Sequence, residues 1–352
     1  MMPPRLRPFL VGAIVSLLSF APAVSVASSP GDTVSPKDIR VNLFGACFTA
    51  PDRGWVAGDL GRVFRTEDGG RTWLRQDTHG RRPFFSITCV DDQHVWMSTT
   101  DGTIFATVDG GMTWTEQQTP VERNLLQVRF ANTRRGTAIG DFGQVVHTED
   151  GGKTWIDVGL PEDFKLPDMA LDMGVAPNDA LLYGMSYPDE DHVWISGEFG
   201  TIVASSDGGR TWHQQKSGLE STIFGIYFQD AMHGTAVGID SVILSTSDGG
   251  ETWTPVPGPF RERPYYDVMI SGKFGWIVGG RGTILKSTDG GASWELFETP
   301  IEMASEWFRG LSMVGDVGYL VGGAGLIYKT EGGSATLLGE TTDNERIVEH
   351  GG

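Results

Sequence analysis

The sequence predicts an all-β fold, a seven-bladed β-propeller of four-stranded antiparallel blades, and three observations carry that prediction. The first is six copies of one eight-residue turn, beginning with Thr66-Glu67-Asp68-Gly69-Gly70-Arg71-Thr72-Trp73. The second is their spacing. From Trp73 through Trp114, Trp155, Trp212, Trp253 and Trp294 the steps are 41, 41, 57, 41 and 41 residues. An even period of this length marks an array of similar supersecondary units. The third is a decayed seventh copy at Thr330-Glu331-Gly332-Gly333, where the Asp and the Trp are gone.

The second unit shows the plan. Phe84–Val90 alternates apolar and polar residues as a half-buried strand does. Asp91–His94 turns into the short strand Val95–Ser98, and Asp101-Gly102 turns into Thr103–Thr107. The Asp109-Gly110-Gly111 turn leads to a fourth strand at Thr113–Glu116. Four short antiparallel strands make a propeller blade. Seven such periods, with 16 extra residues between Trp155 and Trp212, fill the span from about residue 37 to 341. The extra residues fall within 158–190 and read as one long surface loop. Paired glycines (Gly58 and Gly61, Gly140 and Gly143, Gly197 and Gly200) bracket the turn before the third strand, where positive φ is often needed. The ring closes either through an outer strand at Ala335–Leu338 or through an N-terminal strand near Asp38–Val41. The decayed seventh turn favours the second.

The repeated turn has the pattern Ser/Thr-x-Asp-x-Gly-x-x-Trp, the Asp-box or BNR repeat. Asp and Ser/Thr side chains accept backbone N–H groups inside such a hairpin. The Trp ring is expected to bury between units, worth about 2–3 kcal/mol each. Asp68, Asp109, Asp150, Asp207, Asp248 and Asp289, with their Trp73, Trp114, Trp155, Trp212, Trp253 and Trp294, are therefore read as structural. The turns sit at the rim, away from the axis, which argues against their carboxylates as general acids.

Composition sets the compartment and the partners. Arg5 and Arg7 precede an apolar run from Pro8 to Phe20, followed by small residues, as in a secretory signal peptide. The expected organisation is a leader at 1–27, a linker at 28–36, the propeller at 37–341 and a tail at 342–352. No later stretch is apolar for long enough to span a membrane. Loss of the leader moves the formal charge from -18 to -20. So acidic a chain lacks the basic face that nucleic acid requires. Its seven His show no metal-ligand spacing, and neither a metal nor a cofactor is indicated. Cys47 and Cys89 lie 26 and 25 residues before their Trp residues, on opposite strand faces. They read as two buried small residues rather than a disulfide.

The strands ahead of these turns carry a family likeness. Gly54-Trp55-Val56-Ala57-Gly58, Gly275-Trp276-Ile277-Val278-Gly279 and Gly282-Thr283-Ile284-Leu285-Lys286-Ser287, with the evenly spaced turns, resemble the photosystem II stability/assembly factor family. The likeness covers roughly residues 38–341. It implies an exported, non-catalytic seven-bladed propeller that assists assembly of a membrane complex, in the periplasm or, in a photosynthetic host, the thylakoid lumen. It implies protein subunits or their precursors as partners, and a monomer is expected. The chain departs from the family in lacking both a lipid-anchor Cys after the apolar run and a twin-arginine pair.

In a propeller, the turns between second and third strands share a face with the blade-to-blade connections. Asp59, Asp141 and Glu198 lie in such turns, and Arg81, Arg82, Arg123, Arg261 and Arg263 in the connections. Arg82, Arg123 and Arg263 each stand three residues before Phe85, Leu126 or Tyr266 of an innermost strand, and are expected to converge near the axis. They are the best match to the arginine patch that the resemblance implies for client binding. Phe164, Leu166, Met169, Leu171 and Met173 of the long loop could fold over that face. Two other classes compete. One is an accessory subunit of an envelope transport complex. The other is a sialidase-like glycoside hydrolase, with the same three Arg as a triad and Tyr265 or Tyr266 as nucleophile. The latter lacks the opening Phe/Tyr-Arg-Ile-Pro motif, and Asp59 and Asp141 stand two blades apart where hydrolysis needs two carboxyls about 5–9 Å apart.

Overall fold

In the computed structural model, which describes residues 31–299 and 305–339, each period becomes one antiparallel sheet. Seven sheets form in sequence order, each from four consecutive strands paired with their chain neighbours. The inner strands are Leu43–Ala50, Ser86–Cys89, Leu125–Phe130, Leu182–Ser186, Ile223–Phe228, Tyr265–Ser271 and Phe308–Val314. Consecutive inner strands pack side by side, and the seventh packs on the first, so the ring is a seven-bladed propeller. The expected leader and tail lie outside the described residues.

The core sits between blades, because a sheet buried on both faces must cover each face with a neighbour. Seven apolar clusters form, one per junction. At three junctions the contact is an aromatic stack. Phe48 lies on Tyr319, Phe130 on Trp96 and Phe228 on Trp194, with ring centroids 3.6, 3.7 and 3.6 Å apart. A serine of the preceding inner strand accepts the N–H of the residue beside or within each stack: Ser312 from Phe48, Ser86 from Val128, Ser186 from Phe228.

The repeated turns make the hydrogen bonds their residues allow. In the first, Gly70 N–H donates to Thr66 Oγ1 (2.9 Å) and Thr72 N–H to Asp68 Oδ1 (3.0 Å), while Thr72 Oγ1 donates to Asp68 Oδ2 (2.6 Å). The same set recurs at Asp109, Asp150, Asp207, Asp248 and Asp289. Hydrogen bonds from Thr252 and Ser293 hold the Asp248 and Asp289 carboxyls down to about 2. At Asp207 burial pushes upward, but bonds from Thr211, Ser205 and Arg210 outweigh it and again give about 2.

The structure departs from several expectations. Cys47 and Cys89 form a disulfide. The opposite-face reading of their positions was sound, but the inference drawn from it was inverted. Blades stack face to face, so a side chain on the forward face of blade one meets one on the rearward face of blade two.

The ring is closed by the C-terminal route. Ser334–Leu337 is the outer strand of blade seven, paired with Ile327–Glu331. The decayed turn is a two-residue hairpin in which Gly332 and Gly333 both have positive φ, the geometry tight hairpins favour. Pro36–Asp38 is a 3-10 turn instead of a strand. Within the stretch read as a linker, Thr33–Val34 adds a fifth strand to the outer edge of blade one, against Trp73 and Leu74.

The paired glycines divide their labour. Gly61 has φ 68°, as expected, whereas Gly58 is extended. Gly58 is required by closeness: a Cβ there would lie 1.9 Å from the Asn42 carbonyl oxygen. The 158–190 insertion is partly packed down. Phe164, Leu166 and Ala170 are buried between blades three and four, and Asp168–Asp172 forms a short helix. Lys165 exchanges two hydrogen bonds with Gln214 of the outer strand of blade four. Met169, Leu171 and Met173 remain exposed.

Candidate functional site

The face that carries the turns between second and third strands is built from one repeated joint. The chain entering a blade lays its backbone against the turn of that blade: Asp59 N–H donates to Asn42 O, Asp141 N–H to Asn124 O and Glu198 N–H to Leu181 O. The acidic side chain of the turn then accepts a hydrogen bond from the same segment. Asn42 reaches Asp59 (2.8 Å), Asn124 reaches Asp141 (2.9 Å) and the Leu181 N–H reaches Glu198 (3.1 Å). Burial pushes all three carboxyls above their usual range, and these hydrogen bonds offset only part of it. Asp59, Asp141 and Glu198 therefore pin blade connections to turns.

The arginines of the connections stay in their own sectors. Arg82 donates to Thr103 Oγ1 (3.1 Å) and lies 3.8 Å from Glu116. Arg263 donates to Thr283 Oγ1 (3.1 Å) and sits over the Phe260 ring at 3.8 Å. Arg123 lies over the Phe142 ring at 4.5 Å, next to Asp141. Arg81 and Arg261 are exposed. None of the five lines the axial cavity that opens beside them.

That cavity, of about 720 Å³, is what sequence reasoning missed. Phe44, Phe85, Leu126, Tyr183, Phe224 and Tyr266 stand at one position of the first six inner strands and form its collar. Neighbouring rings meet edge to face, Tyr183 with Phe224 at 5.1 Å and Phe224 with Tyr266 at 5.5 Å. The seventh blade puts Arg309 at this position, its guanidinium 5.8 Å from the Phe44 ring. Further along the strands lie Arg129 and Asp267. Arg129 donates to Ile87 O (3.1 Å), bridging blades two and three. Asp267 accepts N–H groups from Val268 (2.9 Å) and from Leu311 of blade seven. Its enclosure raises the carboxyl to about 6, with Arg129, those two N–H groups and Arg309 pulling the other way. The collar was readable as the residue 29 positions before each Trp, or 28 in blade six. Blade seven has no such Trp, and Arg309 was invisible to that register.

Comparison with known proteins agrees with this architecture. The family model for the photosynthesis system II assembly factor YCF48 matches residues 81–180 and 212–336. No curated protein matches the chain. Among solved structures, YCF48 bound to a D1 peptide has a TM-score of 0.66 at 16% identity, over 87% of this chain and 97% of that one. YCF48 from Cyanidioschyzon merolae has a TM-score of 0.67 at 19% identity, over 83% and 96%. Enzymes share the fold as well: the GH74 xyloglucanase from Xanthomonas campestris has a TM-score of 0.65 at 12% identity, over 85% of this chain and 53% of that one.

Proposed function

The chain belongs to the photosynthesis system II assembly factor YCF48 family, and from that premise we propose that it is a non-catalytic, exported propeller that binds protein. It assists assembly of a membrane complex from the periplasm, or from the thylakoid lumen in a photosynthetic host. Its partners are subunits of that complex or their precursors. The observation that carries this reading is a structural relative seen with a bound D1 peptide, on a propeller of matching size.

The connection face supplies the chemistry. Arg81, Arg82, Arg123, Arg261 and Arg263 give planar donor forks suited to the carboxylates of a client segment. Asp141 holds, through Asn124, the connection that presents Arg123. Among the described residues, no helix is long and apolar enough to cross a membrane. Glycoside hydrolysis is the weaker reading, because among the described residues the inner strands of the cavity bring one carboxylate, Asp267, where the reaction needs a pair.

The test is affinity purification of the tagged mature protein from its native host, with retained proteins identified by mass spectrometry. Recovery of reaction-centre subunits or precursors supports the reading. Stoichiometric recovery with an envelope transport complex moves the role to that complex. An empty column overturns it.

A further inference from the structure

The axial cavity has a charge pattern that the connection face does not explain. Its wall carries Arg129, Asp267 and Arg309, an excess of one positive charge. Asp267 feels Arg129 more strongly than Arg309. Asp267 is the one carboxylate that acts on Arg309 among the described residues, and Tyr183 and Tyr266 flank the same guanidinium. A guanidinium held among aromatic rings, with no carboxylate in ion-pair contact, is an anion receptor awaiting its anion.

The surroundings narrow that anion. Six of the seven collar positions are Phe, Tyr or Leu, so whatever delivers the negative charge must bring an apolar body with it. The mouth carries Asp240, Glu262 and Glu306 against Arg281, an excess of negative charge. A segment with several acidic side chains is repelled there. A chain whose one negative charge sits at its tip, behind apolar residues, passes the mouth and meets Arg309. Cavities of 300–1,000 Å³ enclose ligands of this size. The volume here, about 720 Å³, admits a few residues of an extended chain.

We propose that the axial cavity binds the free C-terminal carboxylate of an apolar polypeptide end, with Arg309 as the carboxylate receptor and the aromatic collar gripping the last side chains. The proposal rests on the protein-binding reading but uses a different surface from the arginine-bearing connections.

The probe is a fluorophore-labelled pentapeptide, Ala-Ala-Phe-Ala-Leu, compared with its C-terminal amide by anisotropy against the intact protein. The free acid is expected to bind one to one and at least about tenfold more tightly than the amide, a difference of about 1.4 kcal/mol. Arg309→Gln is expected to abolish the preference, and Arg309→Lys to retain part of it. Decanoate, a carboxylate on a non-peptide apolar chain, is the competitor. Equal binding of acid and amide, no binding of either, or an undiminished preference in Arg309→Gln overturns the proposal. Tighter binding of decanoate than of the peptide overturns the polypeptide assignment. The acid–amide comparison needs no variant, so a misfolded Arg309→Gln does not blunt it. Recovery of complex subunits from the host by an Arg309→Gln protein, with no acid–amide preference in the parent, would sink this proposal and leave the broader function standing.

Discussion

Cys47 of blade one is bonded to Cys89 of blade two, and Cys89 stands where Phe48, Phe130 and Phe228 stand in their own blades. One junction thus uses a covalent bond where three others use a stacked aromatic pair. The bond closes a loop of 42 residues, so its removal widens the unfolded ensemble. For a loop of this length the cost is about 2–4 kcal/mol. Cys47→Ser with Cys89→Ser, or parent protein under a thiol reductant, is expected to unfold at lower urea concentration, with that much less unfolding free energy. An unchanged midpoint under full reduction would show that the junction holds without the bond.

The blades were legible in the sequence because each is built from local signals: a turn, a two-residue alternation and a Trp. The junctions were less legible. Opposite strand parity at Cys47 and Cys89 signals separation within one sheet but contact between two stacked sheets, and only the assembled ring says which applies. The same limit hid the site. Arg82, Arg123 and Arg263 share a register, yet the structure ties each to its own sector through Thr103, Phe142 and Thr283. Arg129, Asp267 and Arg309 come from blades three, six and seven and share no register at all. They meet only because the ring closes.

Phe130 is sandwiched by two indoles, stacked on Trp96 at 3.7 Å and edge-on to Trp155 at 5.9 Å. Phe130→Ala leaves a cavity between two rigid sheets that cannot collapse into it, at a cost of about 3–5 kcal/mol. Urea unfolding of Phe130→Ala against Phe130→Leu checks this. The Leu variant is expected to lose markedly less, and equal losses would mean that ring stacking, not the volume filled, carries the cost.

Asp267 makes stability depend on pH with a definite sign. Its folded carboxyl sits at about 6 against an ordinary 3.8, so the folded state holds the proton more tightly than the unfolded chain does. The resulting penalty is absent below about pH 4, grows between about 4 and 6 and is constant above. The groups acting on it are Arg129 from blade three and Arg309 from blade seven, with the N–H groups of Val268 and Leu311. Asp267→Asn keeps an acceptor for those N–H groups and removes the charge. The gap in unfolding free energy, variant minus parent, is expected to rise across pH 4 to 6 and to stay level to pH 8. A gap that falls over that range would mean the Arg129 attraction outweighs desolvation.

Arg82 and Arg123 test the connection face most directly. Both are exposed, and their contacts in the fold are modest: Arg82 reaches Thr103 and lies 3.8 Å from Glu116, while Arg123 rests over Phe142. Exposed pairs of this kind contribute at most about 1 kcal/mol. Arg82→Glu with Arg123→Glu is therefore expected to lower the unfolding midpoint by a few degrees at most, with about 1 kcal/mol lost at each site at most. The same change reverses two charges on a face proposed to grip client carboxylates, and capture of complex subunits is expected to disappear. Capture at the parental level by a folded double variant would exclude these two arginines from the client interface. Loss of capture, with the pentapeptide of the axial cavity still bound, would establish that the two surfaces act separately.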